Sequence, residues 1–428
     1  MQTPLNRKRD VFPFHGVHQF KQHLLGLPRH LTVTNITNGV MAWLFGVTGP
    51  LLIVFQAAER GGLDLAALSS WIFSIYFVGG CLSILLSLYY GQPIAVAFSI
   101  PGAVLVGTTL MHHPFSQVIG AYVVTGCLIL ALGLSGIVDR LMKVLPMPVM
   151  MGMVAGVLLP FGTDIVGALT DFPLLNGAVF CVFLVLSLFT RLSRIFPPIL
   201  GALIFAALLL AGLGLVRFEE ITFGLAEPRL FKPQFDLAVI GELVIPLMLT
   251  VIAIQNAQGI GVMRGAGFEP PISAMTNWSG VGSLLNSLFG AHSACIAGPM
   301  TAILTSDVDP KRPSTREGTY AGAVVMGLLW VAFGVFAPFA ALLTQMVPAS
   351  LIKLLGGLAM VGVLVNTLKM SFSGLFKMGA LFSFLITVSG FSLFNVGAPF
   401  WGLVGGTLIS LLLERNDFKQ LGQERKNG

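Results

Sequence analysis

Fourteen apolar stretches follow one another along this 428-residue chain, most of them near the ~20 residues a helix needs to cross a hydrocarbon core of about 30 Å. Broken at charged, Pro-rich and polar clusters, the chain gives spans at approximately 31–58, 66–89, 94–111, 116–138, 147–168, 172–190, 197–216, 237–262, 272–289, 292–306, 318–345, 349–368, 374–392 and 396–413. Only 10% of the residues are charged and 55% are hydrophobic, where a soluble domain carries about a quarter charged. That balance excludes the soluble-enzyme, nucleic-acid-binding and disordered classes. The net charge of +6 does not imply a nucleic-acid partner, because the Lys and Arg sit in short loops and tails rather than on one face. The chain reads as an all-α polytopic membrane protein with lipid as its solvent.

An even number of spans puts both tails on one side, and the basic residues test that. Nineteen Lys and Arg fall on the tail side, including Arg140, Lys143, Arg191, Arg194, Arg264, Lys311, Arg312, Arg316, Lys369 and Lys377. Five fall on the other: Arg60, Arg217, Arg229, Lys232 and Lys353. Such a bias predicts cytoplasmic termini. The expected organisation is a cytoplasmic tail over 1–30, a first seven-span repeat over 31–216 and an extracytoplasmic connection over 217–236. A second seven-span repeat follows over 237–413, then a cytoplasmic tail over 414–428. The first 30 residues carry five basic residues and four histidines but no apolar core followed by a cleavage site, so they read as a tail rather than a signal peptide. Cys81, Cys127, Cys181 and Cys295 lie inside apolar stretches without metal-ligand spacing and read as small buried hydrophobes.

Spans three and ten are too short to cross as simple helices. Span three reads Ala97-Phe98-Ser99-Ile100-Pro101-Gly102-Ala103, and span ten reads Cys295-Ile296-Ala297-Gly298-Pro299-Met300-Thr301. Pro101 and Pro299 are 198 residues apart; Gln56 and Gln255, in spans one and eight, are 199 apart. Seven spans is an odd number, so a second repeat enters from the opposite face. The result is a 7+7 inverted repeat, a construction common in secondary transporters. Proline favours the first turn of a helix and pushes the preceding residue to an extended conformation. Each span is therefore expected to be a short strand followed by a half-helix starting near its proline. Two such N-termini facing one point would suit an anionic group. Two proline kinks in ordinary helices are the alternative.

Gln255, Asn256 and Gln258 interrupt the apolar span eight. Polar groups at that depth either bond neighbouring helices or mark a substrate path. None of the 18 acids falls at a span centre. Glu242 and Asp164 read as interfacial, and His292, at the mouth of span ten, as a solvated boundary residue; these three, and the substrate itself, are the candidates for carrying a proton. Gly152 and Gly156 form a G-x-x-x-G that reads as close helix packing. No metalloprotease, serine-hydrolase or nucleotide-binding motif is present, so no enzyme activity, cofactor or metal is expected.

Phe45-Gly46-Val47-Thr48-Gly49-Pro50, Ala97-Phe98-Ser99-Ile100-Pro101-Gly102, Gln255-Asn256-Ala257-Gln258-Gly259 and Ala297-Gly298-Pro299-Met300-Thr301-Ala302-Ile303 together resemble the benzoate:proton symporters, the BenE family, over roughly residues 25–413. The resemblance implies a fold shared with uracil and xanthine permeases and sulfate permeases. In that fold a core (spans one to four and eight to eleven) moves against a gate (spans five to seven and twelve to fourteen). It also implies a multi-pass protein of the bacterial inner membrane, and it admits a homodimer. Nucleobase permeases carry a glutamate in span eight and a second in span ten. Here Gln255 stands at the first position, and the second falls in the apolar Ala294–Ala297 stretch. Removing both carboxylates suits an anionic ligand. The expected function is import of benzoate or a close aromatic carboxylate with protons. The substrate would be held by Phe98, Ser99, Pro101, Gly102, Gln255, Asn256, Gly298, Pro299 and Thr301. A nucleobase or inorganic-anion carrier of this fold, or a passive anion channel, are the other readings.

Overall fold

The computed structural model describes residues 17–135, 146–188, 198–214, 224–306, 308, 313–391, 393 and 398–420. The basic residues at 7–9, 140, 143, 191, 194, 217, 311, 312, 425 and 426 lie outside them.

The first expected span forms α2 (Val33–Arg60), capped by the Thr32 hydroxyl. The second forms α3 (Leu65–Tyr90), capped by Asp64 and closed by Gly91 at φ 62°, the left-handed position a glycine tolerates best. Ahead of them the sequence reading placed only a tail, yet Val17–His30 is a helix, α1. It is fastened by the Tyr320 hydroxyl, which donates to His23 O (2.7 Å) and accepts from His30 Nδ1 (3.0 Å). The strand β1 (Val96–Phe98) leads into α4 (Ile100–Leu110). Then come α5 (Phe115–Ser135), α6 (Met147–Asp171), α7 (Pro173–Leu188) and α8 (Pro198–Gly212).

After the connection, α9 runs from Leu237 to Gly265 and is π-helical over Ile240–Val244 and Thr250–Asn256. The first of these precedes Pro246, which has no N–H to give the Glu242 carbonyl one turn back. Next follow α10 (Ile272–Leu288), β2 (Ala294–Ile296) and α11 (Gly298–Leu304). The expected span 318–345 is two helices, α12 (Tyr320–Val335) and α13 (Ala337–Met346), parted at Phe336 just before Pro338. The chain ends with α14 (Ala349–Phe372), α15 (Lys377–Val388) and α16 (Ala398–Leu413). Glu414 does not trail away as tail: its carboxylate accepts the N–H groups of Met378 (2.7 Å) and Gly379 (3.0 Å) at the start of α15.

Among the described residues, six helices (α2, α3, α5, α6, α9 and α14) are long and apolar enough to cross a membrane. Large apolar side chains stand exposed on the outer surface, among them Leu188, Leu208, Val365 and Leu412, as lipid contact requires. Cys81, Cys127 and Cys181 are exposed too, and only Cys295 is buried; three of the four were wrongly expected inside.

Packing falls into two groups. α3 lies along α12, and α5 along α10; α6 packs against α14 and α15, and α7 against α8. Glycines permit the close approaches. A Cβ on Gly80 would stand 2.6 Å from Gly327 O, and one on Gly156 2.7 Å from Thr387 Cβ, so the G-x-x-x-G of α6 is a packing seam against α15. α2 touches both groups. Its Gly39 and Gly46 meet α12, whereas Gln56 donates to Ile352 O of α14 (3.0 Å) and Arg60 pairs with Asp164 of α6 (3.3 Å).

Candidate functional site: a strand crossing inside the bundle

β1 and β2 meet as an antiparallel pair, Val96 opposite Ile296, Ala97 opposite Cys295 and Phe98 opposite Ala294, every residue buried. Bonds from Ala297 N–H to Ala95 O (2.9 Å) and from Ser99 N–H to Ser293 O (3.2 Å) continue the pairing at each end. Because bonded positions alternate in an antiparallel ladder, the N–H groups of Val96, Phe98, Ala294 and Ile296 point away from the partner strand. Buried N–H groups of this kind must be answered by the surrounding protein. Val96 N–H donates to Ser83 Oγ (2.9 Å), Ala294 N–H to Ser283 Oγ (3.1 Å) and Ile296 N–H to Asn256 Oδ1 (2.7 Å). The fourth, on Phe98, takes no partner among the described residues.

The strand-and-half-helix form expected around each proline is present, but the two junctions differ. At α4, Ser99 is the N-cap, and its Oγ accepts from Gly102 N–H (3.1 Å) and donates to Thr250 Oγ1 (2.9 Å). The N–H after Pro101, expected to be free, is thus already satisfied. At α11, Ala297 supplies no side-chain cap. Thr301 is fully buried and its hydroxyl donates back to Ala297 O (2.7 Å). Gly298 lies under Gln258, whose Cγ would meet an added Cβ at 2.5 Å; Pro299 follows in the first turn. Phe98 is 2% exposed, its ring edge-on to Tyr76 (5.7 Å) and His292 (5.6 Å).

The π-helical stretch of α9 packs against both β2 and the start of α4. Asn256, expected at a substrate, is committed to Ile296 and to Ser279 of α10. Gln255 beside it is 6% exposed, and its amide takes no hydrogen-bond partner among the described residues. Gln56, its counterpart on α2, is used instead to bind α14.

His292 is not a solvated boundary residue: it is fully buried. Trp71 Nε1–H donates to its Nδ1 (3.1 Å), and its Nε2 lies 2.9 Å from Ser99 O. An indole N–H only donates and a carbonyl only accepts. The ring is therefore the neutral tautomer with its hydrogen on Nε2. Asn286 joins the same network, donating to His292 O (3.0 Å) and accepting from Ser74 Oγ (2.9 Å). Glu242 and Asp164, read as interfacial, each have a side-chain partner. Asp164 pairs with Arg60, whose guanidinium also lies over the Phe161 ring (5.0 Å). Glu242 accepts from Thr109 Oγ1 (2.8 Å) and lies 3.1 Å from His113 Nε2. Ser74, Ser83, Ser283, Trp71 and His113 were not singled out from sequence. The one signal was hydroxyl residues recurring in apolar helices that precede each strand.

Comparison with known proteins places the chain. It is 30% identical over 385 residues to the inner membrane protein YdcO of Escherichia coli K12, covering 89% of this chain and 97% of that one. It is 28% identical over 379 residues to the benzoate membrane transport protein of Acinetobacter baylyi, covering 88% and 94%. Among solved structures it is similar to SLC26A9 (TM-score 0.59, 14% identity), over 89% of this chain and 64% of that one. It is similar as well to the transmembrane domain of a cyanobacterial bicarbonate transporter, BicA (TM-score 0.52, 13% identity), over 90% and 98%. The benzoate membrane transport protein family matches residues 29–412. This chain, a membrane transporter and not an enzyme, belongs to that BenE family.

Proposed function

We propose that the protein imports benzoate or a closely related aromatic carboxylate together with protons across the bacterial inner membrane, with both termini in the cytoplasm. One observation carries the reading. At the crossing the Gln255 amide, the Phe98 N–H and the Ser293 hydroxyl are left without hydrogen-bond partners among the described residues. Unmet donors inside a bilayer protein are costly unless a ligand completes them, and donors without a buried carboxylate nearby suit an anion.

In this reading the carboxylate sits at these donors beside the uncapped start of α11, and the ring lies against Phe98. Ser99, Pro101, Gly102, Asn256, Gly298, Pro299 and Thr301 shape the site. The fourteen spans form a 7+7 inverted repeat, 31–216 and 237–413 around the connection 217–236. α2–α5 with α9–α13 act as the core that carries substrate, and α6–α8 with α14–α16 as the gate. A monocarboxylic acid with a side-chain-like pKa near ~4 is an anion at pH 7, and a proton moving with it makes transport electroneutral. The benzoate named for the Acinetobacter relative supports the substrate class.

The test is labelled-benzoate uptake into proteoliposomes under an inward proton gradient at clamped membrane potential, beside protein-free liposomes, because benzoic acid crosses bilayers unaided. Saturable accumulation above that control is expected, and it excludes a channel. Gln255→Glu should weaken benzoate affinity by about a hundredfold or more, since an uncompensated buried charge costs about 3–5 kcal/mol. Unchanged affinity in that variant would sink the site. Competition by uracil or sulfate with none by benzoate would replace the substrate and keep the fold.

A further inference from the structure

The ionisable groups inside the described part of the bundle differ in their freedom to take up a proton. His292 is held neutral between an obligate donor and an obligate acceptor; a second ring hydrogen would point at the Trp71 N–H. Asp164 is engaged by Arg60, a guanidinium that does not give up its charge. Glu242 is different, because its partner is the imidazole of His113 rather than a guanidinium. The two side chains are 15% and 19% exposed, largely withdrawn from water yet within its reach.

We infer that His113 and Glu242 form the site that takes the transported proton, an inference that rests on the symport reading above. The pair joins three elements: Glu242 from the π-helical turn of α9, Thr109 from the end of α4, and His113 from the loop that follows. α4 and α9 are thus bonded at both ends, Ser99 to Thr250 at the crossing and Thr109 to Glu242 at the far end. Protonation at one end bears on the element that shapes the other.

The surroundings leave the proton to this pair. α4 and α5, which pack on this turn of α9, carry no charged residue. Asp236, ahead on α9, caps the Ala238 and Val239 N–H groups. His112 adjoins His113, and Lys232 is exposed on the connection past α5. Arg60 of α2 reaches α4 at Gly107 but is engaged by Asp164. The charge balance also fits. Carboxylate plus neutral imidazole carry −1, and one proton taken from the water outside makes the pair neutral. A core loaded with a carboxylate anion and that proton therefore has the same charge as the empty, deprotonated core. Both crossing steps then meet the membrane potential alike. Facing inward, the pair returns the proton to cytoplasmic water as the anion leaves.

The experiment compares two activities of the full chain in proteoliposomes with labelled benzoate: accumulation driven by a proton gradient, and equilibrium exchange at equal pH on both sides. Glu242→Gln should lower accumulation by about tenfold or more, within the range for two coupled sites, while exchange persists. His113→Gln should move the pH profile of accumulation. Accumulation at the wild-type level in Glu242→Gln overturns the inference, and so does equal loss of both activities in a folded variant. Infrared difference spectra of the wild type between neutral and acid pH supply a readout independent of transport and of any variant's folding. A protonated-carboxyl or imidazolium band should grow in them, and its absence overturns the inference. Wild-type protein that shows these bands but neither activity would instead overturn the benzoate reading alone.

Discussion

At the scale of single residues, the crossing depends on side chains whose hydrogen-bond roles are forced by their neighbours. His292 must accept from Trp71 and donate to Ser99 O, two tasks that a glutamine amide can also perform with its oxygen and nitrogen. His292→Ala leaves both groups buried and unmet, at about 1–3 kcal/mol each. That variant should melt several degrees lower in detergent, with His292→Gln closer to wild type. Because the ring is neutral in its role, His292→Gln should leave the pH profile of uptake where it was; a shifted profile would show that His292 exchanges protons after all. From sequence this residue is a lone histidine at a span boundary. Its tautomer is set by residues 221 and 193 positions away, which no local pattern displays. Gln255 is the opposite case: an amide in an apolar run is conspicuous before folding, and it has no hydrogen-bond partner among the described residues.

At the scale of elements, the half-helix starts were legible because proline acts locally. Pro101 and Pro299 fix the first helical turns and extend the residues before them, and both strands lie where that argument puts them. What answers the outward strand edges was not legible, since Ser83 and Ser283 look like any small polar residue in a tightly packed helix. Their role gives a prediction. Ser83→Ala and Ser283→Ala each strand one backbone N–H, costing about 1–3 kcal/mol, and each should lower the detergent melting temperature. Ser187→Ala, whose hydroxyl serves only its own helix at Phe183 O on an exposed face, should change nothing measurable. Equal effects at all three positions would remove the special standing of the strand edges. The π-helical turns of α9 were missed for a related reason. Pro246 announces a broken ladder, but whether a kink or a wider turn results depends on what packs against it. Helix α1 escaped because its anchor, Tyr320, lies in another span.

At the scale of the whole molecule, α2 touches both packing groups, and any sliding of one past the other must break its contacts with α6 and α14. A Cβ on Gly49 would lie 3.0 Å from Ala359 Cβ of α14, slightly closer than the roughly 3.5–4.5 Å of a disulfide and within easy relaxation. With the three exposed cysteines replaced, Gly49→Cys/Ala359→Cys should arrest uptake on oxidation and recover on reduction. Undiminished uptake with the bridge formed would rule out relative motion at this seam. The strand pair carries a consequence of another kind. Its halves are about 200 residues apart, so at about 5–20 residues per second of synthesis β1 waits about 10–40 s before β2 exists. Ser83 and Ser87 can already hold Val96 and Ile94 in that interval, but the edge at Ala95 and Ala97 has no partner and faces an environment that offers none. The nascent chain must therefore be sheltered, by insertion machinery or by its own loosely assembled helices, until the last third of the protein arrives.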